Sequence, residues 1–197
     1  TVNKQLVEQS IKKNKSLIVS GVLQRANAKN QNGRVYPKEI LDREIKAYME
    51  GPVKENRAMG ELDHPESSVI NLQNVSHTIK KCWWEGDDVM GNVEILPTPS
   101  GNILKALFAA GVTVGISSRG MGSVSENLAE GTVTVEDDFE LLCWDFVSTP
   151  STHGAFMSPK VNKSINENKS KLQKYKYTNV NNIIRDIICD NTGVCAC

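Results

Sequence analysis

Two β-rich runs separated by four turn-forming residues constrain this chain more than any other feature. Val75 to Trp84 and Val89 to Leu96 are joined by Glu85-Gly86-Asp87-Asp88, and runs placed so close together read as an antiparallel hairpin. Further short strands surround it. Ser16 to Leu23 is β-branched and apolar, Arg57 to Leu62 runs up to Asp63-His64-Pro65, Thr132 to Val135 alternates, and Phe139 to Ser148 is apolar on both faces. From Pro37 to Glu50 the signals agree on a helix, with Pro37 in the first position, Leu41, Ile45, Tyr48 and Met49 on one face, and Gly51 after the last periodic residue. A second helix, Asn102 to Ala110, is closed by Gly111. Asn27 to Gly33, Pro97 to Gly101 and Met121 to Gly131 read as loops. Strands at this spacing with two interposed helices predict an α+β fold, an antiparallel β-barrel-like core with flanking helices.

The 197 residues leave room for one domain with a real core plus a tail or two. Apolar content of 39% is slightly low for a compact domain, so part of the chain is expected to be solvated or extended. The 23 basic and 23 acidic residues cancel, which removes any global field toward nucleic acid or a membrane surface. No apolar run is long enough to cross a bilayer and no signal-peptide pattern stands at the start. The chain opens on Thr1 rather than Met, so an N-terminal segment is expected to be missing or processed. The expected organisation is an arm over residues 1–16 (a short helix or a disordered segment), a domain over 17–157, and an extended Lys-rich tail over 158–197. Within the tail, Val180, Ile183, Ile184, Ile187 and Ile188 regain helical spacing and suggest a small docking helix. Of five cysteines, Cys82 and Cys143 suit a core, while Cys189, Cys195 and Cys197 crowd the terminus without disulfide or zinc-site spacing. No metal or cofactor is expected.

Three stretches carry chemistry together. In Gly115-Ile116-Ser117-Ser118-Arg119-Gly120 a short apolar run delivers two hydroxyls to a strand end. In Glu61-Leu62-Asp63-His64-Pro65 the proline biases His64 toward an extended conformation at a strand end, well placed to face a cleft. Asp145 sits inside the apolar run of the last strand, where an ionised carboxylate requires a partner or an edge. A serine needs a base to take its proton, and the base needs a carboxylate to fix its tautomer. His77, inside the hairpin, reads as a satisfied core or surface residue. A metal hydrolase built on Asp63, His64, His77 or His153 lacks the ligand spacing such sites use.

The strings GRVYPKEIL, GELDHPE, the hairpin pattern WW-x-G-x-D-V-x-G and GISSRGMGS occur in order over about residues 17–157. Together they resemble the prohead core proteases of tailed phages, closest to the branch infecting enterobacteria with large contractile-tailed virions. The resemblance implies an assemblin-like fold and a serine endopeptidase working inside the immature capsid, in the host cytoplasm before assembly is complete. Its implied partners are scaffold or core proteins, the major capsid protein and itself as substrates, with self-association, and neither nucleic acid nor membrane. Carried over, the family histidine falls on His64, the nucleophile on Ser117 as the first serine of SSRG, and the acidic member on Asp145. Asp137 and Asp138 are rivals for the last role but look like a strand-entry turn. Strand parity separates the two serines, because neighbours point to opposite faces and only one can meet His64. Backbone amides near Arg119 and Gly120, or on the strand after Asp145, are the oxyanion candidates. The implied preference for cutting after Leu or Ile, any residue, then Glu meets three triplets here: Leu6-Val7-Glu8, Leu128-Ala129-Glu130 and Ile165-Asn166-Glu167. Glu167, in the linker, is the expected self-cleavage site. The alternative is a catalytically silent structural core or capsid protein of the same fold.

Overall fold

The structure, a computed structural model, describes residues 4–13, 16–127 and 131–160. In chain order the elements are α1 (Lys4–Lys12), β1 (Leu17–Arg25), β2 (Arg34–Val35), α2 (Lys38–Tyr48), a π-helical turn (Met49–Val53), β3 (Met59–Glu61), β4 (Val75–Glu85), β5 (Asp88–Ile95), α3 (Pro99–Ala110), β6 (Gly115–Met121), β7 (Val124–Asn127), β8 (Thr132–Val135), β9 (Glu140–Val147) and β10 (Ser158–Pro159).

The hairpin forms as its residues dictate. Glu85 pairs with Asp88 across a turn at Gly86-Asp87, and Gly86 takes φ +64 there, a left-handed conformation that glycine adopts at no steric cost. Every second residue of β5 is buried, so one of its faces looks into the core. β1 pairs with the other edge of β5, giving a five-stranded sheet in the order β10-β1-β5-β4-β3. A three-stranded sheet, β2-β8-β7, and the β6-β9 pair complete the strands.

The α+β class holds, with a β-rich body and few helices, but the ladders form three separate sheets and no closed barrel is shown. The sheets touch through single bridges. Leu62 bridges Phe146 in parallel, reinforced by Asp63 N donating to Phe146 O at 2.8 Å. Gly115 bridges Phe156, flanked by Ile116 N to Ala155 O and Met157 N to Val114 O. The first bridge sets β9 beside the chain leaving β3, and it is this join that positions the site.

The helices cover the sheets as expected, with instructive differences. α2 buries Leu41, Ile45 and Tyr48, and the Tyr48 ring meets Trp144 edge-on at 5.0 Å. Its middle is tied to the entry of β9, where Leu141 N donates to Glu44 Oε2 and Arg43 donates to Asp137 and to Phe139 O. α3 begins at Pro99 rather than Asn102, because Pro99 occupies a first-turn position that needs no N–H and Thr98 caps the Gly101 amide. Leu104 and Phe108 then pack inward, Phe108 against Phe146. Val124–Asn127, read from composition as loop, is a strand, since pairing with β8 supplies backbone bonds that its own residues do not advertise. In α1, Val7 is fully buried in the same core. The docking helix at 180–188, the terminal cysteines and Glu167 lie outside the described residues.

Candidate active site

β6 and β9 run antiparallel, and their register pairs Ser117 with Asp145 and Ser118 with Trp144. Directly opposed residues share a face, so Ser117 and Asp145 lie on one side of the pair, and Ser118 lies with the core residue Trp144 on the other. Asp145 has no solvent exposure. It accepts from Glu61 N at 2.9 Å, Arg119 Nη2 at 3.1 Å and His64 Nδ1 at 2.9 Å. Burial pushes its carboxyl pKa up, but the His64 bond, the Glu61 amide and the Arg119 charge outweigh this and hold it below the ordinary carboxylate value. The requirement that Asp145 be paired is thus met three times over.

His64 arrives by way of the β3–β9 bridge. After Leu62 bridges Phe146, Asp63 turns the chain with φ +70 and its Oδ1 accepts from His64 N at 2.9 Å. The ring is thereby laid over β9. Because a carboxylate only accepts, the 2.9 Å contact makes His64 Nδ1 the donor and leaves Nε2 as the basic nitrogen of the neutral imidazole.

Beneath them lies a buried ion network whose extent exceeds the sequence expectation. Arg119, only 6% exposed, donates from Nη2 to Glu61 Oε1 at 2.9 Å and from Nη1 to Ser67 O at 2.6 Å. Its Nε stands 3.0 Å from Asp145 Oδ2, an ion-pair contact without hydrogen-bond alignment. Burial alone would lower the Arg119 pKa; Cys143, Glu61 and Asp145 more than reverse that and hold it above its ordinary value. Glu61, 1% exposed, also accepts from Asn71 N at 3.0 Å, so it ties the 62–74 loop to the strand floor. Sequence reasoning missed Glu61, although the argument that singled out Asp145, an acid inside a strand, applies to it equally.

Ser117, 7% exposed, shares a hydrogen bond with Ser151, Oγ to Oγ at 3.1 Å. Among the described residues no hydrogen bond joins His64 to either serine. All of them line one cleft of about 280 Å³ together with Arg34 and Asp63. A smaller cleft of about 160 Å³ adjoins it, lined by Arg34, His64, Ser118 and Arg119. Ile116 N donates away from β9 to Ala155, and alternation therefore turns the Ser118 N–H to the same side, past the end of that pairing. Ser151 and the Ser118 amide are additions that no local sequence signal would have supplied.

The other candidates lie elsewhere. His77 is fully buried, its Nε2–H donating to Trp144 O at 2.9 Å and its Nδ1 facing Ser76 Oγ at 2.8 Å. Burial pushes its pKa down to about 4, the signature of a neutral core histidine. Asp137 is almost fully exposed and pairs with Arg43, while Asp138 accepts from Ser123, so both serve the turn before β9. Among the described residues, no three His, Cys, Asp or Glu side chains stand where they could share a metal ion, and no helix is long and apolar enough to cross a membrane. Leu6-Val7-Glu8 lies in α1, and the other two triplets lie outside the described residues.

The prohead core protein protease of Enterobacteria phage T4 is 35% identical over 147 residues, spanning 73% of this chain and 69% of that protein. The structure of the bacteriophage T4 capsid assembly protease, gp21, superposes with a TM-score of 0.64 at 33% identity, covering 68% of this chain and 82% of that one. A family model described as prohead core protein serine protease matches residues 4–169, a span holding every residue of the site just built, and the chain belongs to that family.

Proposed function

We propose that this chain is a serine endopeptidase of phage head assembly, with Ser117 as nucleophile, His64 as general base and acid, and Asp145 as the carboxylate that orients His64. The observation that carries the reading is the 2.9 Å contact from His64 Nδ1 to a buried Asp145 whose cross-strand partner is Ser117. In the proposed reaction Ser117 Oγ attacks the scissile carbonyl carbon as its proton passes to His64 Nε2. The tetrahedral oxyanion is met by backbone amides, with Ser118 N–H a candidate beside those near Arg119 and Gly120. Collapse breaks the C–N bond while His64 returns the proton to the leaving amine. Water then repeats the sequence on the acyl-enzyme. Asp145 stays ionised throughout and stabilises the imidazolium. The Ser117 hydroxyl must rotate from Ser151 to His64 before attack.

The proposed substrates are scaffold or core proteins, the major capsid propeptide and the chain itself at Glu167, at Leu/Ile-x-Glu sites inside the immature capsid, by a self-associating enzyme. The bridges at Leu62–Phe146 and Gly115–Phe156 support reading the body as a barrel-like, assemblin-like fold. The second reading, a silent structural protein, is favoured by one observation: the Ser117 hydroxyl is bonded to Ser151 and not to His64. The test is cleavage of a peptide ending a segment in Ile-x-Glu by wild-type protein, Ser117→Ala and a chelator-treated sample. Loss confined to Ser117→Ala is the expected result. Sensitivity to chelator points to a metal hydrolase, and no cleavage in the assembled state supports the structural reading.

A further inference from the structure

We propose that Arg34 is the specificity-determining residue of this site, forming with the small cleft a subsite for one acidic side chain of the substrate beside the scissile bond; this rests on the peptidase reading. The cleft is lined by Arg34, Arg119, His64, Tyr36, Val135 and Phe139 among others, and it contains no carboxylate. At about 160 Å³ it is well below the roughly 300–1,000 Å³ of small-molecule sites and suits a single side chain.

Its two arginines differ in kind. Arg119 is committed to Glu61, Asp145 and Ser67. The two carboxylates of Glu61 and Asp145 against the one Arg119 guanidinium leave the floor one negative charge in excess. That excess repels a substrate carboxylate, so the floor alone would select against acidic side chains. Arg34 reverses the balance. It lines both clefts, is exposed, and among the described residues no carboxylate is paired with it. A guanidinium in that position can take a carboxylate through two parallel N–H donors.

The local fold keeps it there. Asn30 Oδ1 accepts from the amides of Asn32 and Arg34, each at 2.9 Å, and Arg34 pairs with Val133 in β8. Gln31 donates from its amide to Ser151 O at 2.9 Å and from Nε2 to Pro150 O at 3.0 Å. The turn that carries Arg34 is thus stitched to the segment that holds the Ser117 hydroxyl.

The experiment uses a fluorescent peptide copying residues 161–172 of this chain, with Glu167 kept or replaced by Gln or Lys. Full-length wild type, Arg34→Gln and Arg34→Glu are compared by kcat/KM ratios between peptides, so that an overall loss of activity does not blur preference. The same proteins carrying Ser117→Ala are compared by binding anisotropy, which reads the subsite even without turnover. Wild type should prefer Glu over Gln by about tenfold or more, as a charge-assisted bond implies. Arg34→Gln should erase that preference, and Arg34→Glu should invert it toward Lys. Equal binding of the Glu and Gln peptides, or an Arg34→Glu protein that keeps the wild-type ranking, overturns the proposal. Discrimination in binding with no cleavage of any peptide by wild type leaves the subsite standing and refutes the peptidase reading instead.

Discussion

Replacing Arg119 with methionine keeps the length of the side chain and removes the cation from the floor of the site. The guanidinium is 6% exposed, bonds Glu61, Asp145 and Ser67, and lies among carboxylates that are 1% and 0% exposed. Solvent therefore cannot step in for it. Breaking a buried pair in this way costs about 3–5 kcal/mol at neutral pH. For a body of this size that corresponds to a fall in Tm of roughly 10 °C. The pH dependence is the sharper test. Asp145 has its pKa depressed in the folded wild type, so the stability it contributes is present above the unfolded value and is lost as pH falls through the folded one. Without Arg119 the burial contribution, which raises the pKa, meets less opposition, and Asp145 takes up its proton at higher pH than in wild type. The Tm gap between the two proteins should be full at pH 7 and should narrow as the pH falls, because Asp145 takes up its proton in the variant while it is still ionised in wild type. Differential scanning calorimetry from pH 7 to pH 3.5 reads it directly. A gap under about 2 °C at pH 7, or one that does not narrow in acid, refutes the claim that Arg119 acts by neutralising buried carboxylates.

Three more outcomes follow from particular contacts. Gly60→Ala would drive a Cβ into Trp144 O and the His77 ring; a loss of about 1–3 kcal/mol or more is expected in urea denaturation, and a near-neutral result would contradict the packing. His77, neutral with a pKa near 4 when folded against 6.5 unfolded, contributes stability that is full above pH 6.5 and drains away toward pH 4, by about 3 kcal/mol. His77→Phe should flatten that part of the stability profile, while an unchanged slope would assign it to other groups. Ser151→Ala releases the Ser117 hydroxyl from its 3.1 Å partner, and peptide cleavage should change by less than about tenfold, since a neutral hydrogen bond is worth about 1 kcal/mol. A larger fall would make Ser151 a participant in the chemistry.

Much of this molecule can be read from residue pattern alone, and the parts that cannot share a cause. The β4–β5 hairpin is legible because alternation and the Gly86 turn are both local. The alternation that turns Ser117 and Ser118 to opposite faces is also local, and the register sets them opposite Asp145 and Trp144 respectively. Pro99 misleads only because proline opens helices as well as loops. β7 is invisible because its strand character comes from β8, not from Val124-Ser125-Glu126-Asn127. The charge network fails in the same way. Asp145 announces itself as an acid in an apolar run, but that its partners are Arg119, Glu61 and His64 depends on how the chain after β3 meets β9. A lone bridge at Leu62–Phe146 makes that join, and no short-range signal encodes it. A barrel-like core is what strands at short spacing suggest, but that spacing cannot distinguish a continuous ladder from sheets that touch at single residues.

Val7, fully buried and carried by α1, bears on how such an enzyme would survive its own company. It is the middle residue of Leu6-Val7-Glu8, a triplet that fits the proposed cutting preference yet is wound into a helix, while a protease takes its substrate extended. Since α1 packs against α3, cleavage after Glu8 requires α1 to leave it and unwind first. Its rate would report the opening equilibrium of that helix, and conditions that loosen the packing of Val7 would set a clock on the enzyme's own N-terminus.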